Sequence, residues 1–215
     1  MFTNTVVGDS NATVRIATLS NPNSVAMTVD SVTPTGDFST TTTGVGVNPC
    51  LSGTILQPAG TLPDSSTNCT IGVIFAPTAQ GTRTGTLQIA SNARNNPATI
   101  ALKGTGTLLA PTFSTRSLAF GKVTIGSPST KSVTLTNPNS IALNFGTATI
   151  SGGVYTISSD TCSGMSIGAG DPCTIGVTFT PTATTAVTGT LGVVDAAGTG
   201  SAPSTQNVSL TGSGQ

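Results

Sequence analysis

The residue types available for chemistry in this chain of 215 residues are few: four cysteines, seven aspartates and seven Lys plus Arg, with no glutamate and no histidine. Gly164-Met165-Ser166-Ile167-Gly168 matches the Gly-x-Ser-x-Gly nucleophile pattern by letter. That pattern works only on a strand-to-helix turn with a histidine base beside the serine. No histidine exists and no helical periodicity surrounds these residues, so a Gly-rich loop is expected instead. General acid–base work needs paired carboxylates in a cleft. The aspartates (Asp9, Asp30, Asp37, Asp64, Asp160, Asp171 and Asp195) are scattered and mostly sit at turn positions, where Asp bonds its own backbone. Asp160 and Asp171 flank one cysteine pair; a weak calcium site and an ordinary solvated turn are the two readings there. Zinc is not expected, because no Cys-x-x-Cys spacing and no histidine are present. The chain is therefore read as a non-enzyme without metal or cofactor.

The cysteines fall in two pairs, Cys50 with Cys69 and Cys162 with Cys173. The second member of each pair opens the same sequence block, and the first lies just upstream. Two disulfides, one per half, are the expectation, and they imply an oxidising compartment. Closing a loop of roughly 12 to 20 residues contributes on the order of 3 kcal/mol by the chain-entropy estimate. The alternative is a pair of buried free thiols in each half of a cytosolic protein.

Bulk composition narrows the class further. Only 7% of residues are charged and the net charge is zero. No basic stripe is available to neutralise phosphates, which argues against nucleic-acid binding. No apolar run is long enough to span a membrane as a helix. Met1-Phe2-Thr3-Asn4 has neither the basic start nor the apolar stretch of a signal peptide, so export would require a removed signal or a longer parent chain. The chain is rich in Thr and Ser and holds 26 glycines and 13 prolines. Branched Thr suits pleated strands, and Gly and Pro punctuate turns. With no tryptophan and a single tyrosine, Tyr155, the aromatic platforms that stack on sugar rings are scarce.

The elements that must position these residues come in two copies. Cys69-Thr70-Ile71-Gly72-Val73-Ile74-Phe75-Ala76-Pro77-Thr78 recurs as Cys173-Thr174-Ile175-Gly176-Val177-Thr178-Phe179-Thr180-Pro181-Thr182, with only Ile74/Thr178 and Ala76/Thr180 differing. Asn21-Pro22-Asn23-Ser24 recurs as Asn137-Pro138-Asn139-Ser140, Thr84-Gly85-Thr86-Leu87 as Thr188-Gly189-Thr190-Leu191, and Leu102-Lys103-Gly104-Thr105-Gly106 as Leu210-Thr211-Gly212-Ser213-Gly214. Matched blocks in one order indicate duplication. In the central block Cys, Ile, Val and Phe alternate with small and polar residues, the period-two signature of a half-buried strand. About seven such strands per copy, separated by turn pairs, predict an all-β fold of two tandem immunoglobulin-like antiparallel β-sandwich domains, residues 1–107 and 108–215. Copy two opens on a plausible first strand from Thr112 to Gly121, whereas copy one offers only Met1-Phe2-Thr3 there. Most of the first strand of copy one is expected to be missing, either because the sequence is cut there or because another chain supplies the strand at an open sheet edge.

The run Ser117-Leu118-Ala119-Phe120-Gly121-Lys122-Val123, then Val133-Thr134-Leu135-Thr136-Asn137, the Cys173 to Thr182 block, Gly189-Thr190-Leu191 and Leu210-Thr211-Gly212-Ser213-Gly214 resembles the bacterial choice-of-anchor D repeats. Those repeats are similar to the ASH and major-sperm-protein-like immunoglobulin domains. The resemblance covers nearly the whole chain and brings no catalytic residues. Copy one departs from it in its first strand and in a longer loop from Pro58 to Asn68. It implies a non-enzymatic structural or interaction module of an exported, cell-surface bacterial protein: part of a stalk, adhesin or extracellular fibre, whose partners are other protein chains or copies of itself joined head to tail. The competing expectations are a ligand- or polysaccharide-binding accessory module of an exported enzyme, and an intracellular scaffold.

Overall fold

The computed structural model describes residues 1–9, 13–46, 48–60, 67–199 and 203–215. Asp64 and most of the loop after Pro58 lie outside the described residues. Among the described residues every regular element is a strand, and no helix there is long and apolar enough to cross a membrane. The chain divides into two compact units, Met1–Thr107 and Leu108–Gln215.

In the first unit the strands are β1 (Asn4–Val6), β2 (Val14–Ser20), β3 (Met27–Pro34), β4 (Phe38–Thr41), β5 (Ile55–Leu56), β6 (Asn68–Phe75), β7 (Gly81–Ser91) and β8 (Ala98–Leu108). One sheet runs β1-β8-β7-β3-β5 and the other β2-β6-β4. Their inner faces form the core, with Val29, Leu56, Cys69 and Leu87 fully buried. The central strand β6 buries Cys69, Ile71, Val73 and Phe75, as its alternation requires. Its outer face is not simply polar. A Cβ on Gly72 would lie 2.2 Å from Val45 Cγ1, so the segment around buried Val45 packs directly on the backbone of β6.

The second unit contains β9 (Thr112–Phe113), β10 (Ser117–Val123), β11 (Ser129–Thr136), β12 (Leu143–Asn144), β13 (Thr149–Ile150), β14 (Tyr155–Asp160), β15 (Ser166–Ile167), β16 (Pro172–Phe179), β17 (Ala186–Asp195), β18 (Gly198–Thr199) and β19 (Ser204–Gly214). One sheet runs β10-β19-β17-β13 and the other β14-β16-β11-β9. The strand β16 buries the same four residue types as β6: Cys173, Ile175, Val177 and Phe179. The count exceeds seven because several pieces are only two residues long.

Among the described strands, β1 and β10 pair parallel and the other pairings described here are antiparallel. The strand β10 runs parallel to the last strand, β19, from Ser117↔Ser209 to Val123↔Gly214. The strand β1 does the same beside β8, from Asn4↔Thr105 to Val6↔Thr107. Copy one thus has a first strand, shortened rather than absent. Phe2 marks the correspondence. Its ring meets Phe38 and Phe75 at centroid distances of 5.3 and 5.8 Å, as Phe120 meets Tyr155 and Phe179 at 5.8 and 5.5 Å. The turn that follows repeats too: Gly8 N–H donates to Pro77 O, and Gly126 N–H to Pro181 O. In this correspondence Met1 stands where Ala119 stands in the second unit.

The aromatic trio explains the closing Leu-x-Gly-x-Gly block. A Cβ on Gly104 would lie 2.5 Å from the Phe75 ring, and one on Gly212 would lie 2.6 Å from the Phe179 ring. Only glycine lets the last strand pass over the ring.

Candidate functional site

Cys50 and Cys69 form a disulfide with Cα atoms 5.0 Å apart, and Cys162 and Cys173 form another at 5.2 Å. All four cysteines are buried, and no free thiol is present. Each bond ties the central strand to the segment before it, which enters from a different part of each sandwich. In the first unit Cys50 follows Pro49, which bridges to Thr70, and its N–H donates to the Thr70 carbonyl. In the second, Cys162 follows β14 and sits in a turn closed by Asp160.

The side chains of Asp37, Asp160 and Asp195 accept hydrogen bonds in structural roles. Asp160 Oδ1 accepts the N–H groups of Cys162 and Ser163, and Oδ2 accepts the Ser163 hydroxyl. Burial raises the pKa of its carboxyl, but the bonds from Ser163 and Cys162 outweigh that and hold it below the ordinary value of 3.8. Asp171 lies in the Gly168–Asp171 turn; its N–H donates to Gly168 O, and its carbonyl accepts from Asn137 N–H. Among the described residues, no three His, Cys, Asp or Glu side chains gather as a metal-binding group. Ser166 is an exposed strand residue in β15, paired with Asn144, and not a residue on a strand-to-helix turn.

Asp37 forms a salt bridge in the first unit. Arg83 Nε donates to its Oδ2 at 2.5 Å, and Thr78 donates both its N–H and its hydroxyl. The Arg83 hydrogen bond is the main reason the Asp37 carboxyl is held below its usual range, against a smaller opposing effect of burial. Asp195 is buried at the end of β17. Its Oδ1 accepts from Ala197 N–H and the Ser204 hydroxyl. Ser91 holds the matching place in the first unit, where its hydroxyl accepts from Ala93 N–H.

The first residue of the repeated Asn-Pro-Asn-Ser block proves to be a buried clamp. Asn137 is fully buried, and its Nδ2 reaches the carbonyls of Ile141, Ile167 and Gly168 at 2.8, 3.0 and 3.0 Å. Its Oδ1 accepts the N–H and the Nδ2 of Asn139. Asn21 repeats this on Val25, Leu56, Gln57 and Asn23. The recurrence of Asn-Pro-Asn-Ser was the available signal.

Three concavities are found among the described residues of the first unit, one of about 540 Å³ lined by Asn23, Val25, Asn92 and Arg94. A cleft of about 550 Å³ is lined by hydroxyls of Ser31, Thr40, Thr42, Ser52 and Thr70 beside Cys50. It contains no titratable side chain and no aromatic ring. A smaller groove of about 280 Å³ opens between β2 and β8, over Phe2, Val73, Leu87 and Leu102. The chemistry on offer is hydroxyl hydrogen bonding in the cleft, and apolar contact beside the cations Arg15 and Lys103 in the groove.

Residues 106–201 match the ASH family model, described as "Abnormal spindle-like microcephaly-assoc'd, ASPM-SPD-2-Hydin". The second unit is an ASH domain. The first unit lies outside the matched residues and shares with this ASH domain the aromatic trio, the disulfide on the central strand and the buried Asn clamp. Among solved structures, the chain is similar to the ASH/PapD-like domain 7 of human CEP192, at 11% identity over 49% of this chain and 84% of that one, TM-score 0.38. It is also similar to the VesB protease of Vibrio cholerae, at 14% identity over 75% of this chain, TM-score 0.42, where it spans only 44% of that protein. A third similarity is to a protein of unknown function from Porphyromonas gingivalis W83, at 10% identity over 98% of this chain and 95% of that one, TM-score 0.40. No curated protein matches.

Proposed function

We propose that this chain is a non-catalytic interaction and spacer module of an exported bacterial protein, in which sandwich units of one design are strung in tandem along a surface stalk, adhesin or fibre. The carrying observation is that each unit has its own buried disulfide on the central strand. Bonds of this kind persist in oxidising compartments and are rare in the cytosol. The hydroxyl-rich surface with zero net charge suits close packing against other proteins. An ASH domain brings binding surfaces rather than a reaction centre.

The test is thiol accounting on the protein taken directly from its source cells. Alkylation without reductant should modify no cysteine and alkylation after reduction should modify all four, while externally added protease should cleave the chain in intact cells. Four reactive thiols in freshly isolated protein, or protection from external protease, would exclude the exported reading and favour an intracellular scaffold. The hydroxyl-lined cleft beside Cys50 supports a second reading, an accessory module that binds a polysaccharide. Binding to a glycan array that is lost on Thr42→Val and Ser52→Ala would establish it.

A further inference from the structure

The two units close one side of the sandwich differently. In the second unit the turn after β14 reaches across to the other sheet, where the Ser163 hydroxyl accepts the Ala148 N–H just before β13. Behind that turn Ile157 fills the space between the sheets. It pairs with Val177, shares the inner face of β14 with buried Tyr155, and is half-buried. In the first unit Thr40 holds this place. It pairs with Val73, the residue that Val177 repeats, and shares the inner face of β4 with buried Phe38, yet it is exposed. The chain after β4 takes another route, with Val45 packed on the backbone of Gly72. The sheets are therefore left open between Ser31–Val32 of β3 and Thr40–Thr42 at the end of β4, and this opening is the cleft of about 550 Å³. All of its lining residues fall between Ser31 and Ile71. Its volume lies within the roughly 300–1,000 Å³ of small-molecule sites. Half-buried Val32, buried Ile71 and buried Cys50 form its bottom, and Leu51, 53% exposed, adds an apolar wall. The hydroxyls of Ser31, Thr40, Thr42 and Ser52 surround it, and among the described residues none of the four bonds to another protein group.

We propose that this cleft binds an uncharged sugar through its N-acetyl group, with the acetyl methyl seated on Val32, Leu51 and Ile71 and the amide and ring hydroxyls bonded by the surrounding serines and threonines. The proposal rests on the polysaccharide-binding reading above and deepens it by naming the class of sugar. The charge argument is that no titratable side chain lines the cleft. A carboxylate, a sulfate or a free amine would lose its water there and gain no counter-charge. The shape argument is that no aromatic ring lines it either, so the flat apolar face of a plain hexose has nothing to stack on. The apolar surface on offer is branched and recessed instead, which fits a methyl group. The polar argument is that each of the four hydroxyls can both donate and accept. Together they can serve an amide N–H, an amide carbonyl and ring hydroxyls alike.

The experiment titrates the intact chain with triacetylchitotriose and, in parallel, with cellotriose and with the deacetylated amine trimer, followed by amide and methyl NMR shifts. The acetylated trimer should bind saturably and at least about fivefold tighter than cellotriose, as burying a methyl group and bonding one amide imply. The amine trimer should bind no better than cellotriose. Shifts should centre on Ser31, Val32, Thr40, Leu51 and Ile71, with a nuclear Overhauser contact from the acetyl methyl to the Val32, Leu51 or Ile71 methyls. Thr40→Ile gives the first unit the residue that Ile157 supplies in the second, and it should fill the cleft and abolish binding. Leu51→Ser changes an exposed side chain, so the fold is kept, and it should erase the preference for the acetylated trimer. Absence of saturable binding by the acetylated trimer overturns the proposal, as does binding that survives both substitutions. Equal binding of cellotriose, lost in Thr40→Ile, would overturn the N-acetyl assignment and leave the polysaccharide reading standing. A glycan array with no bound glycan of any class would remove that reading as well, so the two fail separately.

Discussion

Replacing Asn137 by alanine should destabilise the second unit by an amount that can be worked from its partners. The Asn137 amide supplies two Nδ2 hydrogens to the carbonyls of Ile141, Ile167 and Gly168, and its Oδ1 accepts from Asn139. Of these, the bonds to the Ile167 carbonyl and from the Asn139 N–H are fully buried. Alanine leaves both groups unpaired, at about 1–3 kcal/mol each, so the expected loss is about 3–4 kcal/mol. That is a large share of the roughly 5–15 kcal/mol typical of a whole domain. For a unit of about 100 residues it lowers Tm by about 15 °C or more. The assay is thermal unfolding of the intact chain, with hydrogen exchange on peptides from each half to assign the loss to residues 108–215. Asn137→Asp keeps the shape but sets a carboxylate against three carbonyl oxygens. It should be at least as damaging at neutral pH and recover partly in acid, where a protonated carboxyl can donate one bond. A loss below about 1 kcal/mol for Asn137→Ala would refute the reasoning, because it would mean that water or a local shift satisfies both orphaned groups at little cost.

Asn21→Ala should reproduce this effect in residues 1–107 and leave the second unit untouched, since its partners are all in the first unit. Gly212→Ala drives a methyl group to 2.6 Å from the Phe179 ring; the forced shift should cost about 1–3 kcal/mol, and Phe179→Leu in the same chain should recover part of it. Reducing the disulfides, which close sequence separations of 19 and 11 residues, should cost each unit about 3 kcal/mol, measured by denaturant unfolding with and without reductant. The Asp37 carboxyl is depressed in the folded state by Arg83, so its contribution is present above the unfolded carboxylate pKa and is lost as pH falls through the lower folded value. Acid titration of the first unit's stability from about pH 5 down to pH 2 should therefore be shallower in Arg83→Ala than in the parent chain.

The central strands were the most legible part of the sequence, and the reason is physical. One face of β6 and β16 packs on the opposite sheet, so burial writes a strict period of two into Cys69–Phe75 and Cys173–Phe179. The disulfide partners could be paired because the repeat confined the choice to one pair in each copy. Three features were less accessible. The parallel first strand leaves no local trace, because parallel and antiparallel neighbours demand the same side-chain alternation. Asn21 and Asn137 read as turn residues because their burial depends on carbonyls far along the chain, such as those of Leu56 and Ile167. The shortened β1 was read as missing because three residues, Asn4–Val6, with Phe2 before them, are too few to show a period. The groove beside them could only be found by laying one unit over the other.

The placement of the first strand next to the last has a mechanical consequence. In each unit the chain enters along one of two parallel neighbours and leaves along the other. Tension on the two ends pulls those neighbours past each other lengthwise, so the bonds between them share the load rather than opening one at a time. Resistance to pulling is then a matter of how many rungs slide together and how fast the barrier is crossed, not of equilibrium stability. The second unit presents a pairing that runs from Ser117 to Val123, the first only one from Asn4 to Val6. Under a steady pull the second unit should yield at a force set by the rungs from Ser117 to Val123 sliding together.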